Sequence, residues 1–380
     1  MEERVQRGQR ELDRLVVDAK LCTGCGSCVG LCPYRRFYRD RIVTLFPCDR
    51  EEGRCFDFCP RTPADLDGIR KALFEPADTT PELGAVKAIY LARATREKVR
   101  SRAQHGGTVS TLLSLALKEG LIDAAVVTDR KDAMDPFGVV VTDPERVVSH
   151  AGSSFVVSPS VAAFNRAVRD GFANLGAVAL PCQALAYAKM RVLPEDENNP
   201  PAQRPSLVIG LFCSWAFSRD RFSELARKSV DPYLVRGMDI PPKQYGVLQL
   251  FTGERTVDIG LEEAKRCIRG GCHYCFDLTA EFSDISVGSA LLEEDWESAR
   301  GWNTVIVRTR RARELLDLAR KRRLLECREI PSQVVSELKK GSLEKRARAR
   351  RNLVLKSGRE GDLVYLDPND PMFSALQQGA

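Results

Sequence analysis

The stretch LCTGCGSCVGLCPY, Leu21 to Tyr34, sets Cys22, Cys25, Cys28 and Cys32 at the spacing C-x2-C-x2-C-x3-C-P. That spacing is a ligand run for iron–sulfur clusters. A cubane presents iron corners that prefer soft thiolates. A tight loop carrying Gly24 and Gly26 lets three sulfurs converge on one face before Pro33 ends it. Zinc is the rival reading, but zinc ribbons use two separated C-x2-C pairs.

A second block, CDREEGRCFDFCPR, adds Cys48, Cys55 and Cys59 and again closes with C-x3-C-P at Pro60. It resembles the second half of a two-cluster ferredoxin, in which the last cysteine of each motif crosses to the other cluster. Carried over, one 4Fe-4S cluster takes Cys22, Cys25, Cys28 and Cys59, and the other takes Cys32, Cys48 and Cys55. The second set lacks its middle cysteine. That cluster is either 3Fe-4S or a four-iron cluster with a non-cysteine ligand such as Asp49, Glu51, Glu52 or water; the alternative is that Cys48 and Cys55 are plain thiols. Between the blocks, YRRFYRDRIVTLFP reads as a short helix and a strand. Residues 1–75 then form a ferredoxin-like α+β module whose arginines flank the cysteine loops.

The whole chain has 380 residues, 43% hydrophobic and 29% charged, which suffices for two or three cores and excludes a disordered scaffold. Its start is charged throughout, and no run of 18 apolar residues occurs, so the expectation is a soluble cytoplasmic protein with no transmembrane segment. In a reducing compartment, 13 clustered cysteines read as metal ligands before disulfides.

Beyond FEPADTTPELG, read as a linker over residues 76–84, apolar runs alternate with amphipathic ones. VKAIYLAR, TVSTLLSLALKEG and IDAAVVTD give strand, helix, strand, with Gly120 as a helix stop, and predict an α/β layer fold over residues 85–310. QHGGTVSTLL leads into that helix through Gly106 and Gly107, a turn able to admit a phosphate to free amides. LPCQALA and GLFCS place Cys182 and Cys213 at the carboxyl ends of two apolar strands, the edge where ligands gather in open α/β sheets. CHYCFD adds Cys272 and Cys275. Four thiols from three segments would close a third cluster, with Cys267 as the rival ligand and zinc as the rival metal.

Taken in order, HGGTVSTLLSLALKEGLIDAAVV, AGSSFVVSPSV, LPCQALA, GLFCS, CHYCFDLTAEFSDISVG and GWNTVIVRT resemble the family of coenzyme F420 hydrogenase/dehydrogenase beta subunits. The resemblance implies a flavoprotein with FAD at the sheet edge and an iron–sulfur cluster beside it, two or three clusters in all. It makes Gly106, Gly107, Thr108, Ser110 and Thr111 the flavin-contacting segment, with Ser153, Ser154 and Ser158 as weaker candidates. Where the family commonly has Gln-Asp-Gly-Gly, this chain has Gln104-His105-Gly106-Gly107. His105 is the candidate proton donor near the flavin, against the reading of a satisfied turn histidine. His273 is a candidate tuning donor, and Cys327 a structural thiol.

Residues 308–359 hold 18 Lys or Arg against six Asp or Glu. The region 311–380 reads as basic helices packing on the flavin domain or on a partner. Without an interleaved aromatic platform the charge does not argue for nucleic acid; an acidic partner subunit or an anionic cofactor such as coenzyme F420 fits better. The resemblance implies an oxidoreductase subunit carrying electrons between a hydride carrier, coenzyme F420 foremost, and a hydrogenase, formate dehydrogenase or heterodisulfide-reductase-type partner. The alternative is a non-catalytic electron-transfer adaptor in the same kind of complex.

Overall fold

A computed structural model describes residues 7–374 except 131, 196–199, 242–244 and 291–300. Its strands in chain order are β1 (Arg35–Tyr38), β2 (Arg41–Thr44), β3 (Thr79–Thr80), β4 (Gly84–Ala85), β5 (Ala88–Ala94), β6 (Ala124–Asp129), β7 (Phe137–Val141), β8 (Leu175–Ala179), β9 (Leu207–Leu211), β10 (Gly237–Asp239), β11 (Val247–Phe251), β12 (Thr256–Gly260), β13 (Ile285–Ser289), β14 (Asn303–Val307) and β15 (Leu325–Glu329). Eight of them form one mixed sheet in the order β15-β5-β14-β13-β9-β8-β6-β7. The centre, β13, β9, β8 and β6, is parallel, and antiparallel strands flank it on both sides.

The sheet is covered on both faces, so its strands read as apolar runs rather than strict alternation. Along β6 the pleat sends Ala124 and Val126 to one core, and Ala125 and Val127 to the other. The helices Thr108–Lys118 and Arg310–Lys321 pack on the second face through Leu112, Leu113, Leu315 and Leu316. The helices Ser160–Arg169 and Pro181–Val192 cover the first through Val161, Phe164, Tyr187 and Met190. Each such side chain, fully removed from water, contributes about 1.5–3 kcal/mol.

The amino-terminal module is not a separate body. Leu12, Val16, Leu21 and Phe58 share the first-face core with those two helices and with Leu363, Tyr365 and Phe373 of the carboxyl-terminal tail. Gly271 marks a close approach, because a Cβ there would lie 2.5 Å from the Cys22 carbonyl oxygen.

Three local expectations are corrected. YRRFYRDRIVTLFP is a β hairpin, β1 against β2, and not a helix and a strand; its reversal is made at Arg39, at φ 54°. The segment read as a linker is built structure. Pro76–Asp78 is a 3-10 turn, β3 pairs with β4, and Leu83 is buried against Ile306 and Leu338. Cys327 lies on the edge strand β15, opposite Ala92 of β5. The basic tail does contain helices, but Ser332–Ser357 is one helix of 26 residues whose Lys345 and Arg346 are buried.

Candidate metal centres and the sheet edge

The carboxyl ends of β8 and β9 hand the chain to Leu180-Pro181-Cys182 and Phe212-Cys213. Pro181 occupies the first turn of the helix Pro181–Val192, where its missing N–H costs nothing, and Gln183 returns its side-chain oxygen to the Leu180 amide at 2.8 Å. This capped start fixes Cys182 at the sheet edge. Cys272 and Cys275 come in on the 3-10 turn Gly270–Tyr274. All four thiols line one cavity together with Cys25, Arg61 and Lys345.

Electrostatics sorts the cysteines into three sets. Cys28 feels Cys22, Cys59 and Cys25; Cys55 feels Cys32 and Cys48; Cys182 feels Cys25, Cys275, Cys272 and Cys213. Cys59 thus lies near Cys22, Cys25 and Cys28. Cys267 stands outside every set: its neighbours are Arg221, Glu263, Lys228 and Glu224. Cys327 packs against the second-face core, where the charges acting on it are Arg320, Asp317 and Glu326. Among the described residues no three His, Cys, Asp or Glu side chains converge closely enough to hold a single metal ion.

Burial pushes up the thiols of Cys22, Cys28, Cys55, Cys182 and Cys272, and those of Cys59 and Cys213 to about 12. Buried thiols remain neutral unless a cation or a bound metal draws off the proton. Cys275 departs from the pattern. Burial raises it, but Lys345 and Arg61 outweigh burial and hold it below the ordinary thiol value. Lys345 was invisible in the sequence as a site residue, one basic residue in a basic helix. Its ammonium donates to the carbonyls of Cys213 at 2.5 Å and Asp277 at 2.7 Å. Burial works against its charge, yet Cys275, Cys213 and Asp277 keep it protonated.

Two further cations were hidden in the same way. Arg35, 1% exposed, is paired with Asp13, and its nearest anions in waiting are Cys28 and Cys55, one from each amino-terminal set. Its Nε and Nη1 are buried with no acceptor among the described residues. Such orphan donors fit cluster sulfur, which accepts hydrogen bonds from buried N–H groups. Lys189 donates to the Cys59 carbonyl at 2.7 Å and the Thr62 hydroxyl at 2.8 Å; burial lowers it to about 8.

The rest of the sheet edge holds the flavin candidates, on either side of the body cysteines. Gly107, at φ 74°, turns the chain into the helix Thr108–Lys118, and a Cβ on Gly106 would lie 2.8 Å from the Ala92 carbonyl. Thr108 is fully buried; its amide meets Asn303 Oδ1 at 3.3 Å and its hydroxyl donates to Ala92 at 3.2 Å. Thr111 donates to the Gly107 carbonyl at 3.0 Å, Ser110 is buried, and His105 is half-buried. Gln104 next to it bonds the buried Asp239 of β10 at 2.6 Å. The serines stand apart, beside β6. Ser154 bonds Val156, Ser158 meets Thr128 and accepts from Gln183, and the Ser153 carbonyl accepts from Arg130. His273 is on the exposed side of its turn, where partial desolvation and the cations Arg348 and Arg221 lower its pKa. Asp277, Glu281 and Asp284 are structural: Asp277 holds the Thr279 and Glu281 amides, Glu281 pairs with Arg70 at 2.5 Å, and Asp284 pairs with Arg191 at 2.7 Å.

Thiol sets joined through the fold to a ligand-accepting sheet edge define an iron–sulfur oxidoreductase. Residues 172–333 match the family of the coenzyme F420 hydrogenase/dehydrogenase beta subunit carboxyl terminus, residues 89–165 match its amino-terminal counterpart, and residues 15–35 match a 4Fe-4S binding domain. The chain belongs to the family of coenzyme F420 hydrogenase/dehydrogenase beta subunits.

It is 31% identical over 277 residues to the coenzyme F420 hydrogenase subunit beta of Methanothermobacter thermautotrophicus, covering 71% of this chain and 95% of that one. To one of the subunits of the F(420)H(2) dehydrogenase of Methanosarcina mazei it is 28% identical over 312 residues, covering 80% and 84%. The F420-reducing [NiFe] hydrogenase complex from Methanosarcina barkeri contains a chain that superposes with a TM-score of 0.64 at 25% identity, covering 73% of this chain and 95% of that one. The role in electron transport and the iron–sulfur character follow from this membership. No helix among the described residues is long and apolar enough to cross a membrane.

Proposed function

We propose that this chain is an oxidoreductase subunit that passes electrons between coenzyme F420 and a partner enzyme, through FAD and iron–sulfur clusters ligated by the three thiol sets. The observation that carries the reading is the cavity where Cys182, Cys213, Cys272 and Cys275 meet Cys25. It makes the body site continuous with the amino-terminal module, as a chain of one-electron carriers must be. Cys22, Cys25, Cys28 and Cys59 would hold one 4Fe-4S cluster, Cys182, Cys213, Cys272 and Cys275 another, and Cys32, Cys48 and Cys55 a third of three or four irons.

Flavin supplies the missing conversion, taking a hydride as a pair and releasing electrons singly. The residues assigned to it are Gly106, Gly107, Thr108, Ser110 and Thr111, with Ser153, Ser154 and Ser158. The packing of Gly106 and the Thr108 contacts support a role in shaping the wall, leaving backbone amides of that turn for the ligand. Arg130 supports the anionic end: its Nε is buried without an acceptor among the described residues, and its guanidinium reaches the Ala151 and Ser153 carbonyls. His105 is assigned to hold or give a proton at the reacting ring, positioned through its neighbour Gln104 on Asp239. The homologous subunits of F420 hydrogenase and F(420)H(2) dehydrogenase support coenzyme F420 as the hydride carrier.

The test is anaerobic purification followed by spectroscopy. The protein should carry a flavin spectrum that reduced F420 bleaches within the mixing time while NADH and NADPH do not. Protein with full iron content and no flavin, inert to all three, would overturn the assignment in favour of a non-catalytic electron-transfer adaptor.

A further inference from the structure

We propose that the apolar face formed by Tyr34, Leu45 and Phe46 is where a small acidic iron–sulfur protein docks to exchange electrons with the Cys32, Cys48 and Cys55 set. This deepens the proposed function and rests on it for the identity of that set.

The three side chains are 37%, 51% and 63% exposed. They form one surface: the Leu45 amide donates to the Tyr34 carbonyl at 2.8 Å, and the Tyr34 and Phe46 rings meet edge-on at 6.3 Å. Pro33 and Pro47 are exposed beside them. A contiguous patch of this kind on a charged protein marks an interaction site, unlike apolar residues scattered singly. Its place in the chain gives it a purpose. Tyr34 lies two residues after Cys32, and Phe46 two before Cys48, so the patch brackets two thiols that are only half-buried. In the neighbouring set Cys25, Cys28 and Cys59 are buried and only Cys22 is half-buried, whereas Cys32, Cys48 and Cys55 are all half-buried. The second set is thus the amino-terminal one that comes nearest to solvent.

The rim indicates the partner's charge. Arg36, Arg39, Arg41 and Arg50 are exposed and form no ion pair among the described residues, while the nearby Asp40 and Asp49 are taken up by Arg269 and Arg10. Arg36 reaches over the site, donating to the Cys32 carbonyl at 3.5 Å. Glu51 and Glu52 offset part of this, leaving two positive charges in excess at the rim. An apolar centre with a basic rim suits a partner with an apolar spot inside an acidic surface, and such charge acts mainly on the encounter rate.

The probe is an acidic bacterial two-cluster ferredoxin, reduced and mixed anaerobically with the oxidised full-length protein in a stopped-flow instrument. The expected result is a second-order rate that falls with ionic strength, drops tenfold or more in Phe46→Ser, and loses most of its salt dependence in the Arg36→Gln, Arg50→Gln double variant. Reduction of Phe46→Ser by methyl viologen radical should stay within twofold of the parent, with iron content unchanged. Ferredoxin rates equal to the parent's in iron-replete variants would overturn the proposal. So would a homodimer, seen by sedimentation, that Phe46→Ser dissociates, because a second copy would then own the face. The assay uses neither F420 nor flavin. A chain inert to reduced F420 that still takes electrons from ferredoxin loses the functional reading and keeps this one.

Discussion

Lys345 reaches from the middle of a long basic helix to the carbonyl of Cys213, with its Nζ 2.5 Å from the oxygen. A buried ammonium with no carboxylate within ion-pair distance among the described residues is costly unless something anionic answers it. Asp277 does so in part, and so do the thiols of Cys275, Cys213 and Cys272 once deprotonated, as ligands to a cluster are. Lys345→Met should therefore leave two buried carbonyls without a donor, a loss of roughly 2–4 kcal/mol in unfolding experiments. In EPR-monitored titration it should move the body cluster to a more negative potential. An unchanged potential with normal iron content would remove Lys345 from the site.

The cysteine assignment is read most directly by metal analysis. Cys182→Ser and Cys213→Ser should each lose or convert the body cluster while sparing the amino-terminal EPR signals. Cys267→Ser, outside every thiol set, should match the parent in iron and acid-labile sulfide.

Arg35 stands near both amino-terminal sets, its Nη2 on Asp13 and its Nε and Nη1 buried without an acceptor among the described residues. Loss of a buried hydrogen-bonding cation leaves more charge on both clusters and makes each harder to reduce. Arg35→Met should shift both amino-terminal potentials downward together and leave the body cluster in place. A shift in one alone would show that the guanidinium serves a single site.

Gly271 lets the Cys272 loop press against the backbone at Cys22. Gly271→Ala must open that contact, because the added methyl has no flexible side chain to displace. The expected cost is about 1–3 kcal/mol, as for overpacking in a core. Magnetic coupling between the body cluster and the Cys22 set should weaken in the reduced EPR spectrum while the iron count holds.

Arg70 joins Glu281 at 2.5 Å and Asp370 at 3.0 Å, tying the amino-terminal module, the body and the tail at one buried point. Burial raises the Glu281 carboxyl, but Arg70 and Arg346 outweigh it and hold it below the usual range. A depressed carboxylate contributes stability that is complete above its unfolded pKa and lost as pH falls through the folded one. Glu281→Gln should cost about 3–5 kcal/mol near neutrality, since it strands buried guanidinium groups. The gap between variant and parent in thermal unfolding should then narrow as the pH drops below 4.5.

Much of this was legible in the residues. Ligand spacing at Cys22, Cys25, Cys28 and Cys32 is a local property, because loop length and glycines determine which sulfurs can converge. The apolar runs at β5, β6, β8 and β9 carry their strand character in their own composition, and the resulting α/β layering put Cys182 and Cys213 at strand ends. The hairpin at Arg35–Thr44 was misread because the stretch is short, half-exposed and rich in arginine, so neither period dominates.

Sequence by itself determined the thiols and the class of chemistry, since both depend on residue type and near-neighbour spacing. Only the tertiary structure decided what stands beside what: that the charges nearest Cys267 are Arg221 and Glu263 rather than other thiols, and that Cys25 opens onto the body cavity. It also decided which of many basic residues are buried. A lysine has the same helix propensity and charge on either side of a helix, and whether Lys345 meets water or thiols depends on what packs against it from elsewhere in the chain.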